Sequence, residues 1–243
     1  MLVDGGGFYD DSFDVGRNVV APVLWKKKIT SLHYLVLTHP HPDHLNGLQF
    51  IASTFRIGEF WENGEECSSP PCFNLMEIMR RRGIQHQTVH DGIPPRWING
   101  VKVEVFNPPR ARMKNGKDPW SQTNNRSIVL KVTHKKHRFL LTGDIEGEAE
   151  AHVVRSGKDL RSEVLKAPHH GSQSSSTGEF LEAVKPSYVV FTVGFRNIFN
   201  LPNRKVLQRY EDLGCRISRT DRDGAIMLET DGEKLTARPF LKP

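Results

Sequence analysis

Short apolar, β-branched runs alternate with stretches of helical spacing along this chain. Tyr34-Leu35-Val36-Leu37-Thr38 is one such run and predicts a buried strand. Helical spacing follows from Asn46 towards Phe55, and a short strand is expected near Glu59-Phe60-Trp61. Phe73 to Arg82 reads as a helix stopping at Gly83, a natural C-terminal cap. Val101 to Phe106 alternates and predicts a half-buried strand. Asn107 to Asn124, punctuated by Pro108, Pro109 and Pro119, is the most loop-like stretch. Ser127 to Thr133 and Arg138 to Thr142 predict a hairpin turning at His134-Lys135-Lys136-His137. A helix over Ile145 to Arg155, a strand over Glu163 to Ala167, a helix over Thr177 to Val184 and a strand over Tyr188 to Val193 come next. Asn203 to Asp212 predicts a helix ending at Gly214. Two closing strands near Arg216 to Arg219 and Ala225 to Glu229 flank Asp221-Arg222-Asp223-Gly224, a turn sequence. Strands with helices interspersed, plus hairpins, predict an α/β sandwich of two mixed sheets with helices outside.

The 243 residues carry no repeat, low-complexity tract or obvious linker, so a single domain over 1–243 is the economical expectation. A hydrophobic fraction of 37% and a charged fraction of 26% are ordinary for a globular chain and give no indication of disorder. No apolar run is long enough to cross a bilayer. Met1-Leu2-Val3-Asp4-Gly5-Gly6-Gly7 lacks the plan of a signal peptide and reads as the tail of a strand entering a glycine turn, as if the chain began inside a domain. The net charge of +6 tilts the partners towards polyanions. Lys26-Lys27-Lys28 and Arg80-Arg81-Arg82 read first as solvated faces. Cys67, Cys72 and Cys215 include no Cys-x-x-Cys pair and give no sign of a thiolate zinc site. Cys67 and Cys72 bracket a loop-like Ser-Ser-Pro-Pro stretch, which fits either a small disulfide or two free thiols.

The chemistry concentrates in His39-Pro40-His41-Pro42-Asp43-His44, directly after the predicted strand. Three imidazoles and a carboxylate in six residues cannot all be buried without partners. They are ligand types that zinc and manganese accept, and the two prolines are expected to hold the segment extended. Leu140-Leu141-Thr142-Gly143-Asp144 places a carboxylate at a hairpin end, and Ala167-Pro168-His169-His170-Gly171-Ser172 places two histidines after a strand.

The H-x-H-x-D-H string, followed in order by Asp144 and the His-His-Gly-Ser turn, resembles the metallo-β-lactamase superfamily. Four passages narrow the resemblance to the C-terminal hydrolase domain of ComEC DNA-internalisation competence proteins. They are Asn124 to Leu130, Leu141 to Glu146, His169 to Ser172, and the end running from Val193-Gly194 through Arg219 to Gly224. The resemblance implies a four-layer αββα sandwich whose N-terminal strand is missing here, as in a fragment of a larger membrane protein. It implies a two-ion site for zinc or manganese, with His39 and His41 on one ion, Asp43, His44 and His169 on the other, and Asp144 bridging. His169 fits best as the ligand and His170 as proton donor to the leaving group, although the two could exchange roles; Asp43 would also orient the attacking water. Thr123, Asn124 and Asn125 stand where most members place another histidine, which leaves one ion short of a nitrogen, so that it would bind weakly or prefer manganese over zinc. Leu201 precedes Pro202 where many relatives have histidine.

The activity so implied is hydrolysis of DNA phosphodiester bonds during DNA uptake, on single strands for preference, with no nucleotide cofactor. Lys166, Arg126, Arg196 and Arg204, with Asn125 and Asn197, are the candidates for holding phosphate oxygens. Partners would be DNA and the membrane channel region of the same parent protein, with this domain outside the cytoplasm at the inner or plasma membrane. The alternatives are a DNA-guiding module with a degenerate metal site and a small-molecule esterase or lactonase.

Overall fold

A computed structural model describes residues 1–8, 12–110 and 123–241; the part of the expected loop over 111–122 lies outside the described residues. Two compact units emerge, one built on Met1–His90 and the other on Asp91–Arg110 with the described residues from 123 onward.

The first unit comprises β1 (Leu2–Val3), α1 (Ala21–Lys26), β2 (Ser31–Val36), α2 (Pro42–Thr54), β3 (Arg56–Glu62), α3 (Pro70–Arg81) and β4 (Gln85–Thr88). Its strands pair in the order β1-β2-β3-β4, all parallel. Parallel neighbours need crossovers, and one helix supplies each. Leu35 and Leu37 pack with Leu45, Leu48, Ile51, Phe60 and Leu75 in the core. The three-and-four spacing of Leu45, Leu48, Ile51 and Ala52 gives α2 its buried stripe.

Helix α2 starts at Pro42, before the expected Asn46. Proline's fixed φ suits the first helical position, where its missing N–H has no intrahelical role. His41 remains extended at φ −73° and ψ 149°, so the proline-held extension stops there, and Asp43 and His44 stand on the first helical turn. The N-terminal glycine turn lies directly on this helix. A Cβ on Gly47 would come within 2.1 Å of the Gly5 carbonyl oxygen. The two backbones are tied by Gly47 N–H donating to Gly6 O and Gly5 N–H donating to His44 O, both at 2.8 Å. Cys67 and Cys72 form a disulfide at the start of α3, while Cys215, in the second unit, is free and buried.

The second unit contains β5 (Arg96–Ile98), β6 (Val101–Asn107), β7 (Val129–His134), β8 (His137–Leu141), α4 (Gly147–Arg155), β9 (Val164–Lys166), α5 (Gly178–Val184), β10 (Tyr188–Phe191), α6 (Arg204–Asp212), β11 (Arg216–Arg219), α7 (Thr220–Asp223), β12 (Ile226–Thr230) and β13 (Leu235–Pro239). A seven-stranded sheet runs β11-β10-β9-β8-β7-β6-β5. It is antiparallel from β5 to β8 and parallel from β8 to β11. One face packs Leu140, Leu165, Val189 and Phe191 with Ala149 and Val153 of α4, Phe180 and Leu181 of α5, and Val206 and Tyr210 of α6. On the other, Val164, Tyr188 and Val190 meet Ile226, Leu228, Leu235 and Ala237 of the β12–β13 pair.

The chain is thus α/β with helices on both sheets, as expected, and the hairpin through residues 134–137 forms as read. The closing strands differ. Asp221 to Gly224 is not the turn of a hairpin: Thr220–Asp223 makes one helical turn, with Arg219 N–H donating to Asp223 Oδ2 at 2.9 Å. β11 pairs with β10, and β12 pairs with β13, a strand the pattern did not reveal. Helix α1 and the short strands β4 and β5 were also unmarked, because none is long enough to show a clear apolar period.

Candidate metal centre

In the first unit, β2 delivers the chain through buried Leu37 and Thr38 to His39, which is fully buried. The imidazoles converge. His39 Nε2 lies 3.1 Å from His41 Nδ1, and the His39 and His44 rings are 4.1 Å apart centre to centre. His44 Nε2 approaches Asp43 Oδ2 at 3.7 Å.

What fixes His44 is Asp4, a residue the sequence reading passed over. Asp4 Oδ1 accepts from Thr38 N–H at 2.8 Å, and its Oδ2 accepts the Thr38 hydroxyl at 2.9 Å and lies 2.7 Å from His44 Nδ1. A carboxylate on one imidazole nitrogen sets the tautomer and leaves the other nitrogen as a lone pair for a metal. Asp4 holds a left-handed φ of 58°, sparsely populated without a β-carbon-free residue and kept here by these contacts. Its one sequence signal is position: it follows β1, which pairs beside β2 with Val3 opposite Val36 and so brings it within reach of Thr38.

In the second unit, Asp144 follows β8 and is almost wholly buried. Its N–H donates to Ser127 Oγ at 3.0 Å. Lys166 Nζ donates to Asp144 Oδ1 at 3.2 Å and to the carbonyls of Gly143 and Ala167 at 2.8 and 3.2 Å. His170 Nε2 lies 3.1 Å from Asp144 Oδ2, while its Nδ1 is 2.6 Å from the Thr192 carbonyl oxygen. That carbonyl can only accept, so Nδ1 carries a proton, and in the neutral ring Nε2 would turn a lone pair towards a carboxylate. Two acceptors so placed require a proton or a cation between them.

His169 faces elsewhere. Its Nδ1 is 2.9 Å from Glu146 Oε1 but out of hydrogen-bonding alignment, and burial holds the ring below the ordinary imidazole range. The adjacent histidines adopt left-handed φ values of 44° and 54°, a turn costing on the order of 1 kcal/mol or more per residue. It is held by Asn203 N–H donating to Gly171 O at 2.9 Å and Ser175 Oγ donating to Pro168 O at 2.9 Å.

The expected substrate residues divide. Asn125 is buried, its Oδ1 accepting Glu146 N–H at 2.9 Å, so it braces the Asp144 loop. Lys166 is committed to Asp144. Asn197 closes its own loop, donating to Leu201 O at 2.8 Å and accepting Leu201 N–H at 2.9 Å. Arg196 and Arg204 are exposed.

Asp43 and His44 in the first unit, and Asp144 and His170 in the second, present donor atoms of metal-ligand type. Imidazole nitrogens with carboxylate oxygens fit zinc or manganese, and His170 Nε2 beside Asp144 Oδ2 fits a cation when that nitrogen carries no proton.

The family model described as the Metallo-beta-lactamase superfamily matches residues 1–193. The chain is 29% identical over 236 residues to ComE operon protein 3 of Bacillus subtilis, covering 93% of this chain and 29% of that protein. It is 31% identical over 227 residues to competence protein ComA of Neisseria gonorrhoeae, covering 88% of this chain and 28% of that protein. The chain therefore spans less than a third of the length of either relative. Among solved structures it is similar to the metallo-beta-lactamase fold protein YhfI from Bacillus subtilis, with a TM-score of 0.47 and 10% identity over 83% of this chain and 80% of that one.

Proposed function

Because the chain belongs to the metallo-beta-lactamase superfamily, we propose that it is a metal-dependent nuclease that cleaves phosphodiester bonds of DNA, single strands above all, in the course of DNA uptake. His39, His41, Asp43 and His44 would hold divalent metal in the first unit, and Asp144 with His170 in the second. Bound there, the metal supplies Lewis acidity, polarising a phosphoryl oxygen and activating water near neutral pH.

The observation that carries the reading is the His170–Asp144 contact, Nε2 to Oδ2 at 3.1 Å, which calls for a proton or a cation between the two atoms. It favours exchanging the roles expected for the paired histidines. His170 is oriented by Thr192 and serves as ligand. His169, faced by Glu146, is left to pass a proton to the leaving oxygen. Lys166 holds Asp144 in place by donating to its Oδ1. The similarity to two competence proteins supports DNA as substrate, as does the +6 charge.

The location follows the same reasoning. Among the described residues no helix is long and apolar enough to cross a membrane. The Cys67–Cys72 disulfide is the kind of bond that persists outside a reducing cytoplasm, which supports a domain displayed beyond it by a membrane-bound parent with a channel region.

Incubating the purified chain with labelled single- and double-stranded DNA, and with manganese, zinc, magnesium or chelator, tests the proposal. Cleavage that needs metal and stops with chelator is expected. Asn125, buried and turned to Glu146 N–H where many members place a ligand, favours a second reading, a module that guides DNA without cutting it. Binding without cleavage under every metal would establish that one. Hydrolysis of a lactone or neutral ester with no DNA binding would replace both.

A further inference from the structure

Most exposed apolar side chains on this protein are scattered, which is ordinary for a protein surface. One group is not. Phe195, Ile198 and Phe199 are 74%, 84% and 59% exposed. Among the described residues no other stretch of five holds three large hydrophobic side chains so open.

Their setting is cationic and ordered. Residues 183–210 contain Lys185, Arg196, Arg204, Lys205 and Arg209 and no aspartate or glutamate. The Arg196 guanidinium lies over the Phe195 ring at 5.2 Å. Asn197 cross-links the loop by accepting Leu201 N–H and donating to the Gly194 and Leu201 carbonyls, so the aromatic side chains project from a shaped backbone. Both ends are anchored at the His169-His170-Gly171 turn. His170 Nδ1 meets the Thr192 carbonyl before the loop, and Asn203 N–H meets Gly171 O after it. A Cβ on Gly171 would strike both Phe191 and Pro202, at 2.6 and 2.7 Å, so turn and loop ends are packed without slack.

We propose that the loop from Gly194 to Asn200 is a stacking platform for the bases of single-stranded nucleic acid, with Phe195 and Phe199 receiving bases and Arg196 and Arg204 receiving phosphates. The partner class rests on the nuclease reading above. Exposed aromatic faces interleaved with arginine bind single strands because every base has a π-face, while a duplex hides its bases in the stack. A bilayer could also take exposed Phe and Ile beside Arg, but it would cover the turn carrying His170. A strand lying on the loop would instead be led to that turn.

The test is fluorescence anisotropy on the full chain with oligo(dT) and with an abasic oligonucleotide of equal length. The wild type should prefer oligo(dT) by about tenfold or more, and Phe195→Ala/Phe199→Ala should remove that preference, at about fivefold or more per aromatic. The salt dependence of binding should stay unchanged in that variant, since the phosphate contacts remain. Both side chains are exposed, and an unaltered melting curve verifies the fold. Equal binding of the two oligonucleotides by the wild type, or a preference surviving in the variant, overturns the proposal. So does binding to anionic phospholipid vesicles that the variant loses while keeping its preference for oligo(dT). Cleavage is read separately: metal-dependent cutting without base-dependent binding sinks the platform alone, and base-dependent binding without cutting sinks the nuclease alone.

Discussion

His44 Nδ1 and Asp4 Oδ2 lie 2.7 Å apart although 40 residues separate them in sequence. The pair joins the end of β1 to the first turn of α2, and Thr38 seals it from the end of β2 through two hydrogen bonds. Removing such an orienting carboxylate typically costs 10–100-fold in metal affinity. Asp4→Ala should therefore weaken metal binding by about that factor with every proposed ligand intact, and Asp4→Asn should do so less, since its amide oxygen can still accept from His44. Competition with a chelator measures it; wild-type affinity in Asp4→Ala would remove Asp4 from the site.

The two adjacent histidines should separate by metal content. His170→Ala loses the imidazole that meets Asp144 Oδ2 at 3.1 Å and should lower bound metal sharply, as should Asp144→Asn. His169→Ala should retain metal and lose turnover. Elemental analysis of the three variants decides it, and metal loss confined to His169→Ala would restore the order expected from sequence.

Glu150 is fully buried on α4, and its carboxylate accepts Ser176 N–H at 2.5 Å and Thr177 N–H at 2.8 Å. It braces the segment following the His-His turn. Glu150→Ala would strand two buried N–H groups, at about 1–3 kcal/mol each, and should destabilise the protein by about 2–5 kcal/mol. Burial raises the Glu150 pKa, outweighing the hydrogen bonds from Thr177 and Ser176 and the charge of Arg209, which lower it. A raised folded pKa means the contribution is full below the unfolded value of about 4.3 and is lost as pH climbs through the folded one. The stability of the wild type relative to Glu150→Gln should accordingly fall between about pH 4 and the folded pKa. Urea melts across that range measure it; a difference that stays level contradicts the assignment.

The sequence revealed what is dense and local. His39 to His44 stood out because three imidazoles and a carboxylate cannot crowd the end of a buried strand by accident of burial. Asp144 and the His169-His170 turn were legible by their places after predicted strands. Asp4 was not, because its meaning arises only when β1 pairs beside β2. The roles of His169 and His170 were illegible for a related reason: two left-handed residues in succession send neighbouring rings to different partners, Glu146 and Asp144, and nothing in the string His-His-Gly fixes which goes where. Asn125 looked like a substrate contact but is spent on Glu146 N–H, a bond visible only once β7 and the Asp144 loop are together. Asp221 to Gly224 carried turn residues that served a helical turn instead, since Asp223 caps Arg219 N–H and the next strand has its own partner.

The contact between Gly47 and the N-terminal glycine turn bears on how this protein would answer a saturation mutagenesis screen. Gly47 has no side chain with which to ligate metal or contact a substrate. Any substitution there drives a β-carbon into the Gly5 carbonyl, one residue from Asp4, and a turn that yields to it carries Asp4 away from His44. A screen scored on metal retention would rank this position beside the histidines. Intolerance to replacement would then mark a hinge of the scaffold as though it were part of the chemistry, and the two would be told apart only by whether Gly5 and Gly47 fail together.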